Sequence, residues 1–244
     1  MAVLTEVCVD AAGGARAAWN GGADRLELCA ALETGGLTPS RGLQETVVGV
    51  TELPVHVLVR PRQGDFCYDS GEIAAMVADI RSALGGGATT VVIGALTAAG
   101  EIDRDVLARL IEAAGGAPVT FNRAFDLVED QFAALDVLLE LGIARVLTSG
   151  GRRTAAEGAA RLAELVRRGG EDIVILAGAG ITPTNAGGLV RTSGVREIHF
   201  SARKPVPATL RFRNPDVVLG VGEVRLGRTS AAAVAATVAA VRDL

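Results

Sequence analysis

The sequence predicts an α/β fold, a TIM-type (β/α)8 barrel closed within a single domain, on three observations. Eight short apolar runs rich in β-branched residues or Leu alternate with eight helical patterns from one end of the chain to the other. The repeat recurs at a spacing of roughly thirty residues, the pace of a βα unit. Of the 244 residues 49% are hydrophobic and only 3% aromatic, so the core must be built from Ala, Val, Leu and Ile. That composition suits a parallel sheet covered by Ala-rich helices.

Strands are expected at Val3–Val9, Asp24–Cys29, Val55–Arg60, Thr89–Ile93, Pro118–Asn122, Ala144–Leu147, Ile173–Ala177 and Val195–Phe200, each bounded by Gly, Pro, Ser, Thr or Asp. Helices are expected at Ala11–Asn20, Ser40–Val50, Ser70–Leu84, Asp103–Ala113, Asp130–Leu141, Ala155–Arg168, Thr184–Arg191 and Ser230–Leu244. Ser70-Gly71-Glu72 and Thr182-Pro183 read as N-caps with favoured first-turn residues. The stretch 205–229 is too long for a simple βα turn and reads as an irregular, functional or mobile loop before the closing helix over 230–244. With no linker or shift of composition, residues 1–244 read as one domain. An open doubly wound sheet would show fewer strands and a Gly-rich first turn, and Asp10–Gly14 does not carry the dinucleotide fingerprint.

The net charge of −4, with no basic stripe, predicts no nucleic-acid surface. Glu6 and Asp10 interrupt the first apolar stretch, which does not fit a signal peptide, and no apolar run approaches the length of a membrane span. Three cysteines, an odd number, point to reduced thiols and a cytoplasmic protein. Lys204 is the only lysine and stands between Arg203 and Pro205, a poor setting for a Schiff base. No nucleotide or PLP cofactor is therefore expected. With His56 and His199 as the only histidines, a His-rich zinc or iron site is excluded by count.

The sharpest functional signal is a repeated Glu-x-Cys: Glu6-Val7-Cys8 and Glu27-Leu28-Cys29, each at the end of an apolar run. In a strand, residues i and i+2 share a face. Two carboxylates and two thiols are thus expected at the C-terminal ends of neighbouring strands, where barrels place their chemistry. The other strand ends are polar and arginine-rich. Arg60, Arg62 and Arg123 suit bidentate binding of a carboxylate or phosphate. The turns Thr148-Ser149-Gly150 and Gly178-Ala179-Gly180 offer backbone N–H groups ahead of helices. His199 and Ser201 share a face with Glu197 in the last strand, whereas His56 sits deeper, as a core residue.

The segments Glu27–Cys29, Gly35–Ser40, Arg60–Tyr68, Asn122–Asp126, Ala144–Gly150, Ala177–Gly180 and His199–Ala202 together resemble the CutC family, over about Leu4 to Asn214. The resemblance implies a cytoplasmic TIM barrel associated with copper homeostasis and, from the family, a homodimer. It also implies Cu(I) binding at the positions matching Cys8 and Cys29. One departure stands out: the fifth-strand motif of the family reads His-Arg-Ala-Phe-Asp, and this chain carries Asn122 before Arg123.

Two functional expectations follow. In the first, Cys8 and Cys29 hold Cu(I), since soft thiolates select that ion; the competing structural reading makes both small buried hydrophobes. Cys67 is read as an ordinary loop residue or a third thiol. In the second, Glu6, Glu27, Arg123, Asp126 and His199 form the catalytic set of an enzyme acting on a small anionic metabolite. There Arg60, Arg62, Ser149, Gly150, Gly178, Gly180 and Ser201 bind the anion; the competing structural reading makes these charges a buried salt-bridge network. The partner is a copper ion or such a metabolite.

Overall fold

The structure is a computed structural model, and it describes residues 2–207, 209, 210, 212, 214, 216, 217 and 227–244. Eight parallel strands close into a barrel in chain order: β1 (Leu4–Val9), β2 (Arg25–Leu28), β3 (Val55–Leu58), β4 (Thr90–Ile93), β5 (Val119–Phe121), β6 (Arg145–Thr148), β7 (Val174–Gly178) and β8 (Glu197–Phe200). Each is followed by a helix: α1 (Ala12–Asn20), α2 (Arg41–Val48), α3 (Ser70–Gly85), α4 (Arg104–Ala114), α5 (Gln131–Glu140), α6 (Ala159–Gly169), α7 (Ala186–Ser193) and α8 (Ala231–Ala239). Pairing of β1 with β8, Glu6 opposite His199, completes the ring.

The strand residues that face outward (Val7, Leu26, Val57, Val91, Ile93, Phe121, Val146, Ile198) are buried against helix residues such as Met76, Leu107, Leu135 and Leu162. Each such side chain contributes about 1.5 to 3 kcal/mol by leaving water. This cylinder of apolar contact between sheet and helices is the main core. Inside the barrel lies a small separate apolar cluster of Cys8, Cys29, Leu58 and Val92. Beneath it the interior is ionic, with Glu6, Arg25, Glu27, His56 and Glu197 all buried.

Several caps and helix starts differ from the sequence expectation for local reasons. The N-cap of α3 is Asp69, not Ser70: its carboxylate accepts from Glu72 N at 2.8 Å while Glu72 Oε2 accepts from Asp69 N at 2.9 Å. Helix α6 starts at Ala159 rather than Ala155 because the turn after β6 runs through Gly150 and Gly151, at φ of 70° and 68°. Helix α7 starts at Ala186, with Asn185 rather than Thr182 at its N-cap, and Asn185 Oδ1 accepts from Thr182 N at 2.8 Å. The stretch expected to be irregular begins and ends in a short antiparallel pair, β9 (Arg203–Pro205) with β10 (Gly227–Thr229). Residues 208, 211, 213, 215 and 218–226 of that stretch lie outside the described residues.

Candidate functional site

The register separates the two Glu-x-Cys repeats by one pair of residues. Glu6 lies opposite Arg25, and Cys8 lies opposite Glu27. The two glutamates are therefore not a level pair at the mouth: Glu6 sits deep, Glu27 one layer up beside Cys8, and Cys29 just past the end of β2. Cys8 Sγ is 3.1 Å from Glu27 Oε2 and 3.7 Å from Cys29 Sγ. Gly36 makes room for this packing, since a Cβ there would lie 3.5 Å from Cys29 Cβ and 2.7 Å from Leu58 Cδ2.

His199 bridges the two glutamates. Its Nδ1 is 2.7 Å from Glu6 Oε1 and its Nε2 is 3.8 Å from Glu27 Oε2. Gly178 on the adjacent strand makes room for Leu147, whose Cδ1 would stand 2.5 Å from a Cβ there. Glu6 also accepts from Arg25 Nε at 2.6 Å. His56 Nδ1 lies 3.0 Å from Glu6 Oε2 but is poorly aligned for a hydrogen bond. Arg25 reaches on to Glu197, which Arg145 Nε meets at 2.6 Å.

The charges settle in opposite directions along this chain of contacts. Burial alone would raise the Glu6 carboxyl, but the imidazoles of His199 and His56 and the Arg25 charge outweigh it and hold Glu6 well below the usual carboxylate range. Burial pushes the Glu27 carboxyl up, aided by the negative Glu6 and opposed by His199. Burial would lower His199, yet Glu27 and Glu6 together raise it. The Cys8 thiol is pushed well up by its contact with Cys29, by burial and by the charge of Glu27. Glu6 is thus the most firmly held anion of the group, and His199 lies between two carboxyls that favour its charged form.

Two cavities open on these residues, and both are lined by Cys8, Leu32, Arg123 and His199. The inner one, about 130 Å³, adds Glu27, Cys29, Arg60 and Asn122; the outer one, about 500 Å³, adds Gly180, Ser201, Arg203 and Lys204. Asn122, at the position where this chain departs from the His-Arg-Ala-Phe-Asp motif, caps the single-turn helix Arg123–Leu127, its Oδ1 accepting from Ala124 N at 2.9 Å. Gly94 gives it space, since a Cβ there would collide with Asn122 Oδ1.

The structure does not gather all the expected anion ligands at this mouth. Arg60 is buried, and its guanidinium donates to the carbonyls of Thr34, Gly36 and Gly64 at 3.1, 3.0 and 2.9 Å, so it clamps two loops. Arg62 turns to Glu72, Asp65 and the Cys67 carbonyl and lines neither cavity. The turn after β6 does cradle an anion, but that anion is the Asp126 carboxylate. It accepts from Thr148 Oγ1 at 2.6 Å, Ser149 N at 3.0 Å, Gly151 N at 3.0 Å and Arg123 Nε at 2.7 Å. Ser149 and Gly150 therefore belong to an internal nest, in which Gly150 N donates to Thr148 Oγ1 at 2.9 Å. Cys67 is a half-buried loop thiol apart from Cys8 and Cys29. Sequence reading missed Arg25 and Arg145, although Arg25-x-Glu27-x-Cys29 alternates on one strand face and carried the signal for the first.

The donors Cys8 Sγ, Glu27 carboxylate and one His199 ring nitrogen lie within 4.8 Å of one another, a set that could hold a metal and that does not include Cys29. Only the closed barrel brings them together.

Comparison with known proteins places the chain among sequences of the same layout. The family model described as the CutC family matches residues 3–204. A family protein CutC of Caulobacter vibrioides is 48% identical over 242 residues, covering 99% of this chain and 98% of that one. The human copper homeostasis protein cutC homolog is 46% identical over 217 residues, 89% of this chain and 80% of that one. A crystal structure of CutC from Streptococcus agalactiae superposes with a TM-score of 0.78 at 30% identity, covering 82% of this chain and 98% of that one. The matched length, the identity and the shared barrel agree, and the chain belongs to the CutC family.

Proposed function

We propose that this protein binds Cu(I) through the thiolates of Cys8 and Cys29, as a copper homeostasis protein of the cytoplasm. The observation that carries the reading is the 3.7 Å separation of the two sulfurs, both buried at the foot of a cavity of about 130 Å³. With metal–sulfur bonds of about 2.3 Å, this spacing corresponds to an S–Cu–S angle near 110°, and a linear site needs the sulfurs to part by roughly 0.9 Å. Cu(I) is thus accommodated by a small side-chain motion or by a third donor. The relative in Homo sapiens is named for copper homeostasis, which supports the same assignment.

Because the Cys8 thiol is held protonated by burial and by its neighbours, Cu(I) must displace its proton, and affinity should rise with pH. Competitive Cu(I) titration of the wild type against Cys8→Ser and Cys29→Ser tests the site. Each variant should lose at least tenfold in affinity; equal affinity in all three proteins sinks it. The protein is further proposed to act as a homodimer through its Ala-rich outer helices, of which α8 is an example. Light scattering measures that state.

A second reading is favoured by a separate observation: His199, between Glu6 and Glu27, forms part of the wall of the outer cavity, which also carries Arg123, Ser201 and Lys204. This suits proton transfer on a small anionic metabolite. A thermal-shift screen with phosphorylated sugars and carboxylates should then give stabilisation that Arg123→Ala removes. A broad library without a hit would tell against it.

A further inference from the structure

We infer that Cys8, Glu27 and His199 form a second metal mode of this barrel, an open three-donor site for a borderline divalent cation of the Zn(II) type. It goes beyond the Cu(I) reading, since it uses a different donor set and leaves Cys29 out.

The donors are close and ready. Cys8 Sγ and Glu27 Oε2 are 3.1 Å apart, His199 Nε2 is 3.8 Å from the same oxygen, and the three-donor set spans no more than 4.8 Å. Tetrahedral Zn(II), with bonds of about 2.0 Å to N and O and 2.3 Å to S, places its ligands roughly 3.2 to 3.6 Å apart. The site therefore needs a contraction of up to about 1.3 Å along its longest edge. One thiolate, one imidazole and one carboxylate suit a borderline ion; Mg(II) and Ca(II) demand oxygen donors.

Support behind the donors is the stronger argument. Glu6 accepts the Nδ1 proton of His199 at 2.7 Å, which fixes the tautomer and turns Nε2 towards Glu27 and the cavity. Metal-bound histidines almost always donate their other ring N–H to a carboxylate, a backbone carbonyl or water, and Glu6 is such a partner. Glu6 is itself held by Arg25 at 2.6 Å, and Arg25 by Glu197. A residue serving only to fill the barrel would not need an imidazole anchored on one nitrogen and aimed by the other at a thiol and a carboxylate. Cys8 and His199 both line the two cavities, so the fourth coordination position faces the mouth, the arrangement of catalytic rather than structural sites.

The test uses metal-stripped full-length protein, titrated with Co(II) and then competed with Zn(II). The wild type should give the intense visible bands of tetrahedral Co(II) and a sulfur-to-cobalt charge-transfer band. His199→Gln and Glu27→Gln should weaken binding at least tenfold, and Glu6→Gln, which touches no metal, should weaken it by about 10- to 100-fold. Cys29→Ser should bind Co(II) as the wild type does while losing Cu(I), which separates this site from the two-thiolate one. X-ray absorption of the Zn(II)-loaded wild type needs no variant: one sulfur with two or three N/O neighbours supports the assignment. Two sulfurs, octahedral Co(II) without a charge-transfer band, or no Co(II) binding overturns it and leaves the Cu(I) reading standing on its own titration.

Discussion

His199 Nδ1 lies 2.7 Å from Glu6 Oε1, joining residues 193 positions apart across the seam where β8 meets β1. The contact exists only because the barrel closes. In an open sheet running from β1 to β8 these strands would be opposite edges. On either side of this pair stand Arg25 and Glu27, so one hydrogen bond links the ionic interior to the thiols at the mouth.

Substituting Glu6 tests how much the buried network contributes. Glu6→Gln leaves Arg25 with Glu197 alone and deprives His199 of its anchor. Removing one partner of a buried ion pair costs about 3 kcal/mol. Urea unfolding at pH 7 should show that loss, and a change below about 1 kcal/mol would mean that the network is energetically neutral.

The metal-free protein should lose stability as pH rises above about 6.5. His199 has a folded pKa raised above its ordinary 6.5, so its stabilisation is complete below 6.5 and fades as pH climbs through the folded value. Glu27, also raised, works in the same direction: it must be ionised in a buried site once pH exceeds its folded value. Glu6 is lowered, so its contribution holds above about 4.5 and is lost only as pH falls through its depressed value. Unfolding free energies measured from pH 6 to 9 should therefore decline, and His199→Gln should flatten the decline. A flat wild-type profile contradicts the assignment.

Asp126 fills the nest after β6. Asp126→Ala should cost about 2 to 3 kcal/mol, since Ser149 N and Gly151 N lose a charged acceptor. The emptied nest should then take an external anion. Adding phosphate ought to raise the Tm of the variant and leave the wild type nearly unchanged; equal shifts for the two would dismiss the nest as an anion site.

Thiol reactivity should divide cleanly. Cys8 and Cys29 are buried and the Cys8 thiol is held protonated, whereas Cys67 is half-buried in a loop. Brief alkylation of the native protein followed by mass spectrometry should yield one adduct, on Cys67, and Cys67→Ser should abolish it. Loss of Cu(I) binding after labelling of Cys67 alone would contradict the separation of the thiols.

Much of the fold was legible because its signals are local. Short β-branched runs, Gly-bounded turns and Ala-rich helices repeat eight times, and the strand boundaries fall within two residues of expectation. The start of α3 at Ser70 was legible, whereas α6 and α7 begin later than expected, at Ala159 and Ala186, behind turns that no local periodicity marks. At the site, Glu-x-Cys led to the end of the barrel where Cys8, Glu27 and Cys29 line the inner cavity. The partners were not legible. Arg60 and Arg62 carry the residue type of an anion site, yet each is committed to its own loops.

The sequence by itself determined the repeating βα architecture, the family and which side chains approach the C-terminal end of the barrel, because period-2 alternation and turn chemistry act over a few residues. The tertiary structure alone decided who meets whom. Parallel register offset the two Glu-x-Cys repeats so that Cys8 faces Glu27, and barrel closure set His199 between the glutamates. Such contacts span up to 193 positions of chain and depend on strand stagger around a closed ring, which no local pattern encodes.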